Sequence, residues 1–120
     1  MAEIVANDLV SRTSGYVVYQ WRAVRAGDSC LPAKGVNVGL IAPLGRRTVQ
    51  ISGPFEGAAV EIRGGLVAGD EYPLLRDRHG MPLVFDMEAV RGIADDVALV
   101  LPRVVGGNEN TELTITLMLT

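Results

Sequence analysis

The sequence predicts an all-β protein: a single-domain β-sandwich, jelly-roll or immunoglobulin-like, over residues 16–120. At most one short helix and an extended N-terminal arm over residues 1–15 accompany it. Three observations carry the prediction. Short runs of alternating apolar and polar residues recur along the chain, Gly- and Pro-bearing turns separate them, and 120 residues supply one core only. A hydrophobic fraction of 48% against 21% charged offsets chain entropy and excludes disorder.

Residues 1–14 lack a periodic pattern and are expected to be a tail, or an arm that orders against a partner. Gly15–Arg22 is rich in aromatic and β-branched residues and predicts a strand with Tyr19 and Trp21 on one face and Tyr16 on the other. Lys34–Ile41 predicts a further strand, made irregular by Gly35 and Gly39. In the centre, RTVQISGPFEGAAVEIRGG places Thr48–Ile51 and Ala59–Ile62 on either side of a loop holding Gly53, Pro54 and Gly57. The expectation is a hairpin with Pro54, Phe55 and Glu56 at its tip.

Tyr72–Arg76 and Pro82–Asp86 read as two short strands. They flank Asp77-Arg78-His79-Gly80, whose Asp-first, Gly-last order suits a type I turn. Met87–Ile93 is the one helix candidate, with Asp86 as N-cap and Gly92 limiting its length. At the C-terminus, Val97–Val105, a Gly106–Asn110 loop and the alternating Glu112–Thr120 predict a terminal hairpin, with Pro102 demanding an edge position or a bulge.

Several function classes are excluded or demoted. A net charge of −3 opposes nucleic-acid binding, which calls for a basic face. No apolar run approaches the ~18 residues of a membrane span. The opening MAEIVANDLVSR carries Glu3 and Asp8 where a signal peptide needs a basic leader and an apolar stretch, so an intracellular site of synthesis is expected. One cysteine, Cys30, and one histidine, His79, make neither an internal disulfide nor a zinc site. Ten arginines against one lysine reflect GC-rich codons before they argue for interfaces, where arginine is favoured.

No reaction is assigned. His79 sits in a turn, and nothing in the spacing joins it to Asp77 and a serine as a triad. Asp95, Asp96 and Glu109 lack the framework of a calcium loop, and Gly53–Gly57 lacks the lysine and helix of a phosphate loop. Cys30 reads as a small buried hydrophobe. Glu61 and Arg63 should face away from the core as a cross-strand charge pair. The expectation is therefore no catalytic residue, no metal and no cofactor.

The run RTVQISGPFEGAAVEIRGG, with EYPLLRDRHGMPLVFD, MEAVRGI and VVGGNENTELTITLML behind it, resembles a family of small proteins encoded in tailed-bacteriophage genomes. The resemblance rests on Ser52-Gly53, Phe55 and Gly57, Ala59–Ile62, the Leu75–Gly80 turn and the Gly106–Leu119 loop and strand, roughly the C-terminal two-thirds of the chain. Where relatives often read Gly-Ser-Asn-Asp-Gly, this chain has Arg63–Asp70. It implies a non-enzymatic virion protein, a head decoration or cement protein, assembled in the bacterial cytoplasm and seated on the capsid exterior. The partners it implies are the major capsid protein and further copies of the chain, as a dimer or trimer, with no nucleic acid and no membrane. Tyr16, Tyr19, Trp21, Arg22, Arg25, Pro54, Phe55 and Glu56 are the expected capsid or subunit contacts. The alternatives are a carbohydrate-binding module of a tail or fibre, with Tyr19 and Trp21 as ring platforms, and a head–tail connector or minor tail protein.

Overall fold

A computed structural model describes residues 2–5, 7–8, 17–33, 46–67, 69, 71–95 and 97–119. Tyr16, the Lys34–Ile41 strand, Asp96 and most of the 1–15 arm lie outside the described residues. The chain is all-β and folds as a single domain. Its strands are β1 (Glu3–Ile4), β2 (Asn7–Asp8), β3 (Val17–Val24), β4 (Ser29–Cys30), β5 (Arg47–Ser52), β6 (Ala58–Gly65), β7 (Val84–Phe85), β8 (Ala89–Ile93), β9 (Leu99–Gly106) and β10 (Leu113–Leu119). A large antiparallel sheet runs β2-β3-β10-β5-β8 and a small one β7-β6-β9, while β1 and β4 form a parallel ribbon.

The core is built by period two. On β10, Leu113, Ile115, Leu117 and Leu119 point inward and are fully buried. Val49 and Ile51 of β5 and Tyr19 and Trp21 of β3 join them from the large sheet, and Val60, Ile62, Phe85 and Val100 from the small one. Two inner faces sharing one core is the packing of a sandwich. In β3 the alternation breaks once: the pairing with β10 shifts between Leu113 and Ile115, with Ala23 at φ 53°. Two residues, Arg22 and Ala23, then lie opposite Thr114. The bulge returns Val24 to the buried face after Trp21, where strict alternation would have turned it to solvent.

Two expected hairpins are corrected. β5 and β6 lie in different sheets, and so do β9 and β10. Each pair presents an apolar face to the same core from opposite sides, so each intervening loop crosses the sandwich. Sheets pack about 10 Å apart, a gap that residues 53–57 and 107–112 both span easily at ~3.3 Å each. The two crossovers meet and hydrogen-bond. Glu112 N donates to Pro54 O at 3.2 Å, and Thr111 Oγ1 donates to Phe55 O at 2.9 Å. Gly53 is required at that meeting: its φ is +110°, and a Cβ would lie 2.3 Å from Glu112 O.

The helix expected over Met87–Ile93 is also corrected. Ala89–Ile93 is an edge strand, paired residue for residue with β5 from Arg47↔Ile93 to Ile51↔Ala89. Ala89 packs against the core and Ile93 is buried while Val90 is exposed, a period-two pattern. Five ladder pairings outweigh one or two turns of helix, whose nucleation is costly. Gly92 has a packing role here, since the Arg78 guanidinium lies where its Cβ would be, with Cζ 2.6 Å away.

Two other expectations hold, at the Asp77–Gly80 turn and at Pro102. Gly80 N donates to Asp77 O at 3.0 Å, closing the expected turn between segments bridged at Arg76↔Pro82. Pro102 lies on β9, an edge strand of the small sheet. The described residues of the N-terminal arm lie along their own domain: Glu3–Ile4 pairs with Ser29–Cys30, and Asn7–Asp8 with Tyr19–Gln20.

Candidate interaction surface

The expected contact residues divide by burial. Tyr19 and Trp21 are 8% and 1% exposed, and Phe55 is 8% exposed. All three are core residues, so they are corrected as surface contacts. Trp21 Nε1 donates to Leu31 O at 2.9 Å, which satisfies its one polar atom inside. Phe55 turns inward because the loop carrying it crosses between sheets and closes one end of the core. The ring platforms of a carbohydrate-binding reading are thereby removed. Arg22, Arg25, Pro54 and Glu56 are exposed. Arg25 reaches Glu112 at 3.8 Å between exposed side chains, a pair worth little.

A groove of about 930 Å³ lies along β9, lined by Asp28, Cys30, Arg63, Tyr72, Pro102 and Arg103 among others. Most of its polar groups have structural partners. Arg63 donates from Nε to Glu61 Oε1 at 3.0 Å and from Nη1 to Tyr72 O at 2.9 Å, so the expected charge pair runs along β6 and not across strands. Asp28 accepts from the amides of Ala2 (3.0 Å) and Arg25 (2.9 Å). Burial pushes its carboxyl up, but those two hydrogen bonds leave it below its ordinary value. Cys30 is buried, and that burial pushes its thiol up to about 12, where no thiolate nucleophile forms near neutrality.

Asp77 and Arg91 form the best-built polar cluster. Arg91 donates from Nη2 to Asp77 Oδ2 at 2.7 Å and to Pro82 O at 2.9 Å, and from Nη1 to Val84 O at 2.9 Å. Its Cζ stands 5.3 Å from the Phe85 ring centroid, a cation–π contact. Asp77 Oδ1 also accepts from the amides of His79 and Met81, both at 2.9 Å. The Arg91 hydrogen bond, then the amide of Met81, holds the Asp77 carboxyl down at about 2. Arg91 belongs to the large sheet and Val84 and Phe85 to the small one, so the cluster ties the two sheets along one margin. His79 lies exposed in the adjoining turn.

That margin carries a feature the sequence reading missed. Met81, Val84, Met87 and Val90 are 59%, 40%, 66% and 60% exposed, spaced every third residue where the chain passes from the small sheet to the large one. Neither period two nor period 3.6 produces such a spacing; it becomes legible only once β7 and β8 are assigned to different sheets. Val90 points to the outer side of the large sheet, while Met81, Val84 and Met87 lie exposed on the connection leading to it from the small sheet.

Comparison with protein-family models, with curated proteins and with solved structures finds no match to this chain.

Proposed function

We propose that this chain is a non-catalytic binding module that docks its β7–β8 margin on another protein. We propose further that this partner is the outer capsid shell of a tailed-bacteriophage head, which the chain decorates and stabilises. The observation that carries docking is the run of exposed apolar side chains Met81, Val84 and Met87 on that margin. Each is about half exposed, so covering it completely contributes roughly 1 kcal/mol to an interface. Arg91 donates to the carbonyls of Pro82 and Val84, which braces the backbone that carries Val84. The choice of a capsid shell rests on the resemblance of the turn motifs to phage virion proteins. A shell fits a patch of this size, because a repeated surface multiplies a modest contact over many copies. In this reading the protein acts at the capsid exterior.

Cosedimentation with purified heads that lack the protein is the test. The wild-type chain should pellet with heads, and Met81→Asp/Met87→Asp should remain in the supernatant while retaining its circular dichroism. Equal binding of the two would sink the docking margin. Failure of the wild-type chain to bind any head would sink the capsid assignment.

A further inference from the structure

The outward face of the large sheet differs in chemistry from the rest of the surface. Register across β3, β10, β5 and β8 sets Gln20, Thr116, Gln50 and Val90 in one row, and Val18, Met118, Thr48 and Gly92 in the next. Arg22, Thr114 and Ser52 form a third row at the end of the face where β3 bulges. None of the chain's fourteen acidic residues belongs to these three rows; Arg22 is their one charged residue, and the Arg78 guanidinium lies against Gly92 at the β8 edge. Depletion of charge is the compositional mark of an interface centre.

Two opposite charges, Arg22 and Glu88, sit at opposite corners of one end. Arg22 stands on β3, where its Nε donates to Gln20 Oε1, and Gln20 Nε2 in turn donates to Thr116 Oγ1 at 3.0 Å. Glu88 immediately precedes β8, and its Oε2 accepts from Gly53 N at 3.2 Å, next to Ser52. Three strand spacings, roughly 14 Å, separate the corners.

We infer that this face associates with a second copy of the chain, through a two-fold axis parallel to the strands and passing between β10 and β5. That operation lays β3 of one copy over β8 of the other and preserves position along the strands. Arg22 of each copy then faces Glu88 of the other, giving two reciprocal ion pairs, while Thr116 meets Gln50 in the middle. The Arg22 and Glu88 corners favour a copy as occupant: each chain carries −3, which opposes self-association, and the acid-free rows keep that repulsion away from the contact. Isologous contact demands self-complementarity, and the Arg22 and Glu88 corners supply it. Strands of the two facing sheets run nearly aligned, as sheets do when they pack face to face. The rows cover less than a standard interface, so the dimer is weak and concentration-dependent. Val90 lies in the first row while Met81, Val84 and Met87 do not, so a Met81→Asp/Met87→Asp chain that still dimerises separates this inference from the docking proposal.

Sedimentation velocity of the full chain across the micromolar to millimolar range tests it. The wild type should pass from monomer to dimer. Arg22→Glu and Glu88→Arg should each weaken the dimer at least tenfold, because each places like charges at both corners. The double swap Arg22→Glu/Glu88→Arg should recover most of the loss. Gln50→Lys, on an exposed side chain at the centre, should leave a folded monomer, and Arg103→Glu on the small sheet should change nothing. A wild type that stays monomeric overturns the inference. So does a dimer indifferent to Gln50→Lys, or a double swap no tighter than the single variants.

Discussion

Thr111→Val probes the junction where the two crossover loops meet. Thr111 is 1% exposed; its hydroxyl donates to Phe55 O at 2.9 Å and accepts from Asn108 N at 3.0 Å. Valine keeps the shape and removes both bonds. Phe55 O retains the amide of Ala58 at 3.0 Å, so the uncompensated losses are the Asn108 bond and the link between loops. Loss of a buried hydrogen bond with one partner stranded costs about 1–3 kcal/mol. For a domain of this size that lowers the melting temperature by roughly 4–12 °C. Thr111→Ser keeps the hydroxyl and loses one methyl, about 1 kcal/mol. Thermal and urea denaturation followed by circular dichroism should therefore rank wild type above Ser above Val, although valine is the more apolar replacement. A Val variant as stable as wild type, or more stable than the Ser variant, would refute the crossover as the load on this hydroxyl.

Gly53→Ala and Gly57→Ala should separate steric conflict from backbone strain. Gly57 has φ +85° and open space around it, so alanine there costs about 1–2 kcal/mol, while Gly53→Ala adds a collision with Glu112 O and should lose clearly more. Similar losses in urea melts would argue against the close approach of the loops. The Asp77–Arg91 pair sets a pH dependence: a folded-state pKa of about 2, below the ordinary 3.8, contributes stability above about pH 4 that is lost as the pH falls toward 2. Melting curves between pH 5 and pH 2 should show this drop in the wild type and less of it in Asp77→Asn; parallel curves would contradict it. Cys30 in the folded protein should resist a thiol reagent at pH 8 and react at once in denaturant, and prompt labelling of the native chain would contradict its burial.

How much of this was legible in the sequence follows from what period two encodes. Alternation in Glu112–Thr120 locates a strand and its buried face, and Leu113, Ile115, Leu117 and Leu119 bear that out. It does not name the neighbouring strand. A turn-rich link between two alternating runs is compatible with a hairpin inside one sheet or an arch between two. Thr48–Ile51 and Ala59–Ile62 illustrate it: pairing partners β10, β8, β9 and β7 lie far away along the chain. The same ambiguity misplaced Phe55, which is a tip residue in a hairpin and a core residue in an arch. Met87–Ile93 misled because a short segment with one Asp and one Gly satisfies helix capping locally, while the β5 ladder that overrides it is non-local. The outward face of the large sheet shares that origin, since its rows are built from strands that only the tertiary fold brings together.

Electron microscopy of heads saturated with the protein tests the central claim most directly. The account predicts density on the outside of the shell in many symmetry-related copies, each touching it through Met81, Val84 and Met87. Density confined to one vertex, or a shell contact made through another face with this margin left in solvent, would contradict it.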